Sequence, residues 1–134
     1  MKKPDYHRLD IWWVILDPAK GNEAKKRCDP ASAKDARERA PRQTRPCLIL
    51  QNDIGNQFSD ITMIVPFLEP KSYPFVVNVR PTPDNGLDRP RGLNFSQMRV
   101  AHYTRFINQL GVLEDSYTSQ IKNAIAIELN IFGK

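Results

Sequence analysis

Two cysteines and two histidines in 134 residues are too few, and too scattered, for a zinc or iron–sulfur site. Cys28 and Cys47 form no Cys-x-x-Cys pair, and His7 and His102 each stand alone. No metal and no cofactor are therefore expected, and reduced structural thiols are the better reading than a disulfide. Long apolar runs are missing as well. Residues 47–50 and 64–68 fall far short of the roughly 20 residues that a membrane helix needs. No apolar stretch follows Lys2 and Lys3, so the start does not read as a secretory signal. A cytoplasmic protein without membrane contact is the expectation.

What the chain does have is an ordinary globular composition, 40% hydrophobic and 26% charged, and a length that suits one domain over residues 1–134. The formal charge of +5 favours an anionic partner. That charge is uneven. Residues 23–45 hold eight basic side chains (Lys25, Lys26, Arg27, Lys34, Arg37, Arg39, Arg42, Arg45) against four acidic ones.

Residues 9–16 read as a strand stopped by Asp17-Pro18, residues 11–16 all being β-branched, aromatic or aliphatic. Trp12 and Trp13 alternate faces there, which places one in the core and the other at an interface or groove wall. A polar, basic stretch follows, with one marginal helical turn at residues 31–40 that Ser32 would cap. Residues 47–50 form a second strand, and residues 51–59 a turn-rich excursion. Residues 61–68 form a third, in which Pro66 argues for an edge or a bulge. Residues 75–79 alternate as a half-buried strand, 80–92 read as a surface loop, and 93–100 as a short final strand. Residues 104–110 suggest a helical turn ended by Gly111. The last element is a helix capped by Asp115 or Ser116, with Ile121, Ala124, Ile125, Leu129 and Phe132 at helical spacing. Strands first and a docking helix last predict a mainly β fold, a small barrel or sheet with peripheral helices.

Three blocks resemble the MazF/PemK/Kid toxins, siblings of the CcdB gyrase poisons. The first is residues 11–23, IWWVILDPAKGNE. The second is residues 44–56, TRPCLILQNDIGN. The third is Val65-Pro66 followed by residues 73–77, YPFVV. Weaker agreement runs through Gly86-Leu87, residues 96–99 and the closing helix. The resemblance implies an SH3-like barrel with a C-terminal helix that forms a homodimer. It implies a metal-independent endoribonuclease that cuts single-stranded RNA, often mRNA, at short motifs. The RNA's own 2′-OH would attack phosphorus and leave 2′,3′-cyclic phosphate and 5′-OH ends. A cognate antitoxin would lay an acidic tail over the same groove.

On this resemblance Arg45 matches the catalytic arginine, whose planar fork suits a phosphorane. The family's second catalytic group, a hydroxyl at the end of the next strand, is missing here, and Glu69 falls at or beside its place. Glu69 is then a general base, kept ionised by Arg45, or the activity is reduced; Ser72 is a third substitute. Gln51, Asn52, Asn56 and Gln57 are suited to reading base edges and Phe58 to stacking on one, although the same residues also build a turn. Gln97 and Arg99 match a late family element near the groove. Lys20, Asn22, Glu23 and Thr44 fall within the matched blocks and are expected to line the RNA. His102 is a proton-transfer candidate or a structural residue.

The family joins its first and second blocks by a handful of residues, whereas this chain inserts a long basic loop over about residues 22–44. That loop either adds phosphate contacts or is a tolerated insertion. The competing reading is an inactive or weak binding module acting on RNA or a protein target.

Overall fold

In the computed structural model, residues 2–16 and 44–131 are described. Lys20, Asn22, Glu23, the basic loop, its marginal helical turn and Phe132 lie outside them. Strand β1 (Asp10–Ile15) is covered on both faces. Ile11 joins a larger core, whereas Trp12 and Val14 join a smaller one, as the strand period of two requires. Trp13 is half-buried, so the two tryptophans do divide between core and surface.

The other elements are β2 (Thr44–Ile49), a short helix α1 (Asp53–Phe58), β3 (Ile61–Leu68), β4 (Val76–Val79), β5 (Arg91–Asn94), β6 (Arg99–His102), β7 (Phe106–Val112) and helix α2 (Thr118–Glu128). The strands make one seven-stranded sheet in the order β4-β5-β3-β2-β1-β7, with β6 also on β3. Every pairing is antiparallel. The fold is mainly β with a C-terminal helix, as expected. The larger core gathers Ile11, Leu48, Val65, Phe67, Val77 and Leu93 from β1 to β5, and α2 closes it with Ile121 and Ala124. The smaller core lies on the other face, around Trp12, Cys47, Ile49, Ile64 and Phe106.

Several local expectations give way to long-range pairing. Pro66 is buried and not on an edge strand. β3 pairs with β6 over Ile61–Ile64 and with β5 at Phe67 and Leu68, so the residue without an N–H sits where one partner hands over to the next. Residues 93–100 are not one final strand but the end of β5, a 3₁₀ turn at Phe95–Gln97, and the start of β6. Residues 106–112 form β7 against β1, not a helical turn, because β1 offers a free edge that short-range propensity does not see. Residues 53–58 are helical, capped by Asn52, whose side chain accepts from the Gly55 N–H at 2.8 Å. Helix α2 is preceded by a 3₁₀ turn at Asp115–Tyr117, and its N-cap Tyr117 makes no side-chain cap bond, so neither Asp115 nor Ser116 caps it. Leu129 is exposed.

The loop between β4 and β5 is on the surface but pinned. Asn85 is fully buried; its carboxamide donates to the Arg80 carbonyl at 2.9 Å and accepts from the Thr82 and Leu87 N–H groups at 3.0 Å each. Gly86 has φ +71°, and a Cβ there would lie 2.1 Å from the Leu110 carbonyl oxygen. Only glycine permits this approach of loop to β7.

Candidate functional site

Arg45 is half-buried on β2, opposite Val14 of β1. Two residues on, Cys47 points to the same face and is fully buried. Burial pushes its thiol up to about 12, against the opposing pull of the Arg99 and Arg45 guanidinium charges. Both arginines therefore stand close to this one thiol. Arg99 reaches it from β6, where it pairs with Ile64 of β3, itself opposite Ile49 of β2. Two residues far apart along the chain thus share the Cys47 face of the sheet. Neither guanidinium has an ion pair among the described residues. Each arginine leaves a guanidinium suited to phosphate oxygens on this face of the sheet.

A third guanidinium went unnoticed in the sequence. Arg105 donates from Nη1 to the Ile15 carbonyl at 3.2 Å, and Ile15 is paired with Thr44. It belongs to the same end of β1 and β2 as Arg45. Residues 104–110 read locally as a helical turn, which concealed this placement.

Glu69 follows the last residue of β3. In the β2–β3 register Cys47 faces Pro66, so Arg45 and Glu69 lie at the same end of the ladder. Glu69 is not paired with Arg45, however. Its carboxylate is held by Arg89 at 2.8 Å, an exposed contact from the β4–β5 loop. Arg89 thus takes the place expected of Arg45 as its cationic neighbour. Ser72 is exposed in the connection beyond.

The amides expected to read bases divide into two groups. Asn56 is buried, donates to the Gln51 carbonyl at 3.1 Å and accepts from the Thr62 hydroxyl at 2.6 Å. Gln51 donates to Asn56 and to the Ile61 carbonyl, both at 3.3 Å, and Asn52 caps α1. These three build the α1 corner, which Lys3 braces by donating to the Ser59 carbonyl at 2.7 Å. Gln57 and Phe58 face outward, Phe58 being 79% exposed. Gln97 is exposed at the end of its 3₁₀ turn. His102 accepts at Nδ1 from the Thr104 N–H at 3.2 Å, which matches its structural reading. Among the described residues, no group of three or more His, Cys, Asp or Glu side chains is placed to hold a metal ion. None of the described helices is long and apolar enough to cross a membrane.

Comparison with known proteins gives a consistent picture of the fold. A search of curated proteins found no match. Among solved structures, the chain is similar to a Mycobacterial endoribonuclease in complex with its cognate antitoxin. The TM-score is 0.66 at 16% identity, covering 95% of this chain and 97% of that one. It is also similar to MazF from Deinococcus radiodurans, with TM-score 0.65, 17% identity, and coverage of 97% and 99%. A third is the Mycobacterium tuberculosis toxin MazF-mt6, with TM-score 0.61, 20% identity, and coverage of 66% and 88%. The family model of PemK-like, MazF-like toxins of type II toxin–antitoxin systems matches residues 7–129, nearly the whole sequence, and the chain belongs to that family.

Proposed function

We propose that the protein is an endoribonuclease toxin that cuts single-stranded RNA without a metal, and that Arg45 holds the scissile phosphate. The observation that carries this reading is the placement of Arg45 and Arg99 on the Cys47 face of the sheet, in a family of toxins with a relative named as an endoribonuclease. The substrate's 2′-oxygen attacks phosphorus, the bond from phosphorus to the 5′-oxygen breaks, that oxygen takes a proton from water, and the products are a 2′,3′-cyclic phosphate and a 5′-OH. Arg45 and Arg99 offset the charge that grows on the non-bridging oxygens. Glu69 takes the 2′-OH proton, once its exposed pair with Arg89 yields to substrate. Gln57, Phe58, Gln97 and Thr44 stand as RNA contacts.

Two further parts of the reading have support on the surface. Ile61 and Val100 are exposed on β3 and β6, and Ile54 and Phe58 are exposed on the adjacent α1. Such an apolar patch beside an edge strand suits a second copy of the chain. An acidic antitoxin tail would compete with RNA for the arginines, in line with the relative solved with its antitoxin.

The test is incubation of purified protein with long RNA in EDTA, followed by mapping of 5′ ends. Defined cuts with 5′-OH ends that disappear in Arg45→Ala are expected. A second reading, a binding module without catalysis, is favoured by one observation: Glu69 is occupied by Arg89 and no hydroxyl residue ends β3. Intact RNA at high protein concentration, with RNA still bound, would select it.

A further inference from the structure

A cleft of about 340 Å³ opens on the face of the sheet opposite Arg45. Its floor is one row across three neighbouring strands: Pro46 of β2, Trp13 of β1 and Asn108 of β7 lie side by side in register. Leu110 extends the floor, and Gly86 and Asp88 of the pinned loop make the rim. The rim is built, not incidental. The close approach at Gly86 fixes the loop on β7. Arg91, with its side chain only 6% exposed, grips Asp88 through Nε to Oδ1 at 2.9 Å and Nη2 to Oδ2 at 3.2 Å.

The chemistry of this cleft is that of a planar, edge-polar ligand. Trp13 offers an aromatic surface for stacking. Asp88 is 65% exposed, with Arg89 Nε 4.0 Å from Oδ2 as a second cationic neighbour, and its carboxylate has lone pairs beyond the two that Arg91 occupies. It can only accept hydrogen bonds while ionised, and the neighbouring guanidinium keeps it so. Asn108 is exposed, and its carboxamide has no hydrogen bond among the described residues, so it offers one donor edge and one acceptor edge. An apolar protein side chain would fill the floor but strip water from Asp88 and Asn108 without replacing it. A nucleobase satisfies both floor and rim. The Arg91 guanidinium offsets the Asp88 charge, which removes the main objection to an RNA ligand. Pro46 adjoins Arg45 in β2, so the cleft and the arginine lie one residue apart on opposite faces of that strand.

We propose that this cleft is a specificity subsite that takes one nucleobase of the RNA, stacked on Trp13 and selected by Asp88 and Asn108 for an amino group. Adenine, cytosine and guanine carry such a donor, whereas the one donor on uracil's pairing edge, N3–H, lies between two carbonyl oxygens that the Asp88 carboxylate repels. The proposal rests on the ribonuclease reading above for its substrate class.

The experiment uses the full chain and short 2′-O-methyl oligonucleotides, which resist cleavage, randomised except for one fixed base at each position in turn. Binding is followed by the fluorescence anisotropy of end-labelled oligonucleotides, and cleavage of long RNA is profiled in parallel. At one position, uracil is expected to bind at least tenfold more weakly than the other three bases. Asn108→Ala should shrink that ratio to below threefold, Trp13→Ala should weaken all four bases, and Trp13→Phe should restore the preference. Asn108 is exposed, so its variant keeps the test valid if Trp13→Ala folds poorly. Cleavage with the same base preference in Asn108→Ala and Trp13→Ala overturns the subsite. So does loss, in these variants, of inhibition by an acidic peptide alone, which would give the cleft to a protein partner. Amino-selective binding without any cleavage would sink only the ribonuclease reading; neither binding nor cleavage sinks both.

Discussion

The buried guanidinium of Arg91 meets the exposed carboxylate of Asp88 in a two-point pair, 2.9 and 3.2 Å long. The hydrogen bonds from Arg91 hold the Asp88 carboxyl below the usual carboxylate range. The depressed value means that this contribution to stability is present at neutral pH and is lost as pH falls through the folded pKa, below 3.8. Asp88→Asn leaves a buried cation short of its anion and is expected to cost about 1–2 kcal/mol, after allowing for solvent around Asp88. Urea unfolding at pH 7 and at pH 3 checks it: the gap between wild type and variant should narrow at the lower pH.

Gly86 sets a second expectation. Its φ is +71°, and a side-chain methyl there would come within 2.1 Å of the Leu110 carbonyl oxygen, which leaves no room for alanine. Gly86→Ala should destabilise by about 2–4 kcal/mol, because the clash is with backbone that cannot rotate aside. A fall in thermal midpoint is the readout, and the Trp13 emission maximum should shift with it as the rim moves off β7.

The Cys47 thiol, fully buried and pushed up to about 12, stays protonated at any ordinary pH. In a Cys28→Ser background, Ellman's reagent at pH 8 should find no reactive thiol in the native protein and one per chain after unfolding. Rapid labelling of the native protein would contradict the burial.

Asp10 behaves in the opposite sense to Asp88. Burial raises its carboxyl above the ordinary 3.8, although the His7 N–H donates to it at 2.8 Å. The folded state then holds a proton that the unfolded state releases, so stability declines as pH rises from 3.8 through the raised value and is level beyond it. Asp10→Asn keeps an acceptor for His7 and removes the charge. Its melting temperature should exceed the wild type at pH 7 and approach it at about pH 3.5.

For the reaction, Glu69→Gln should lower cleavage by roughly 100-fold if the carboxylate takes the 2′-OH proton. The side chain is exposed, so the melting temperature should stay put. An unchanged cleavage rate would end its role as base.

Much of this protein is legible without coordinates. The apolar run through Ile11 to Leu16, the RP block leading into Cys47–Ile49, the order of the three matched blocks and the formal charge of +5 point to strands, family and an anionic partner, because they depend on local patterning and on residue identity. Phe106–Val112 could not be read the same way: it is a strand only because the edge of β1 is open beside it. Side-chain partnership follows the same rule. Asn56 looks like a base reader in sequence, yet it closes on Thr62 and Gln51 inside the fold, while Glu69 finds Arg89 rather than Arg45. Register, not proximity along the chain, sets Arg45 and Arg99 on one face of the sheet and Trp13 between Pro46 and Asn108. The sequence alone determines which chemical groups are present and which family they belong to; tertiary packing decides which of them are free, because burial and pairing consume donors and charges that the linear order leaves open.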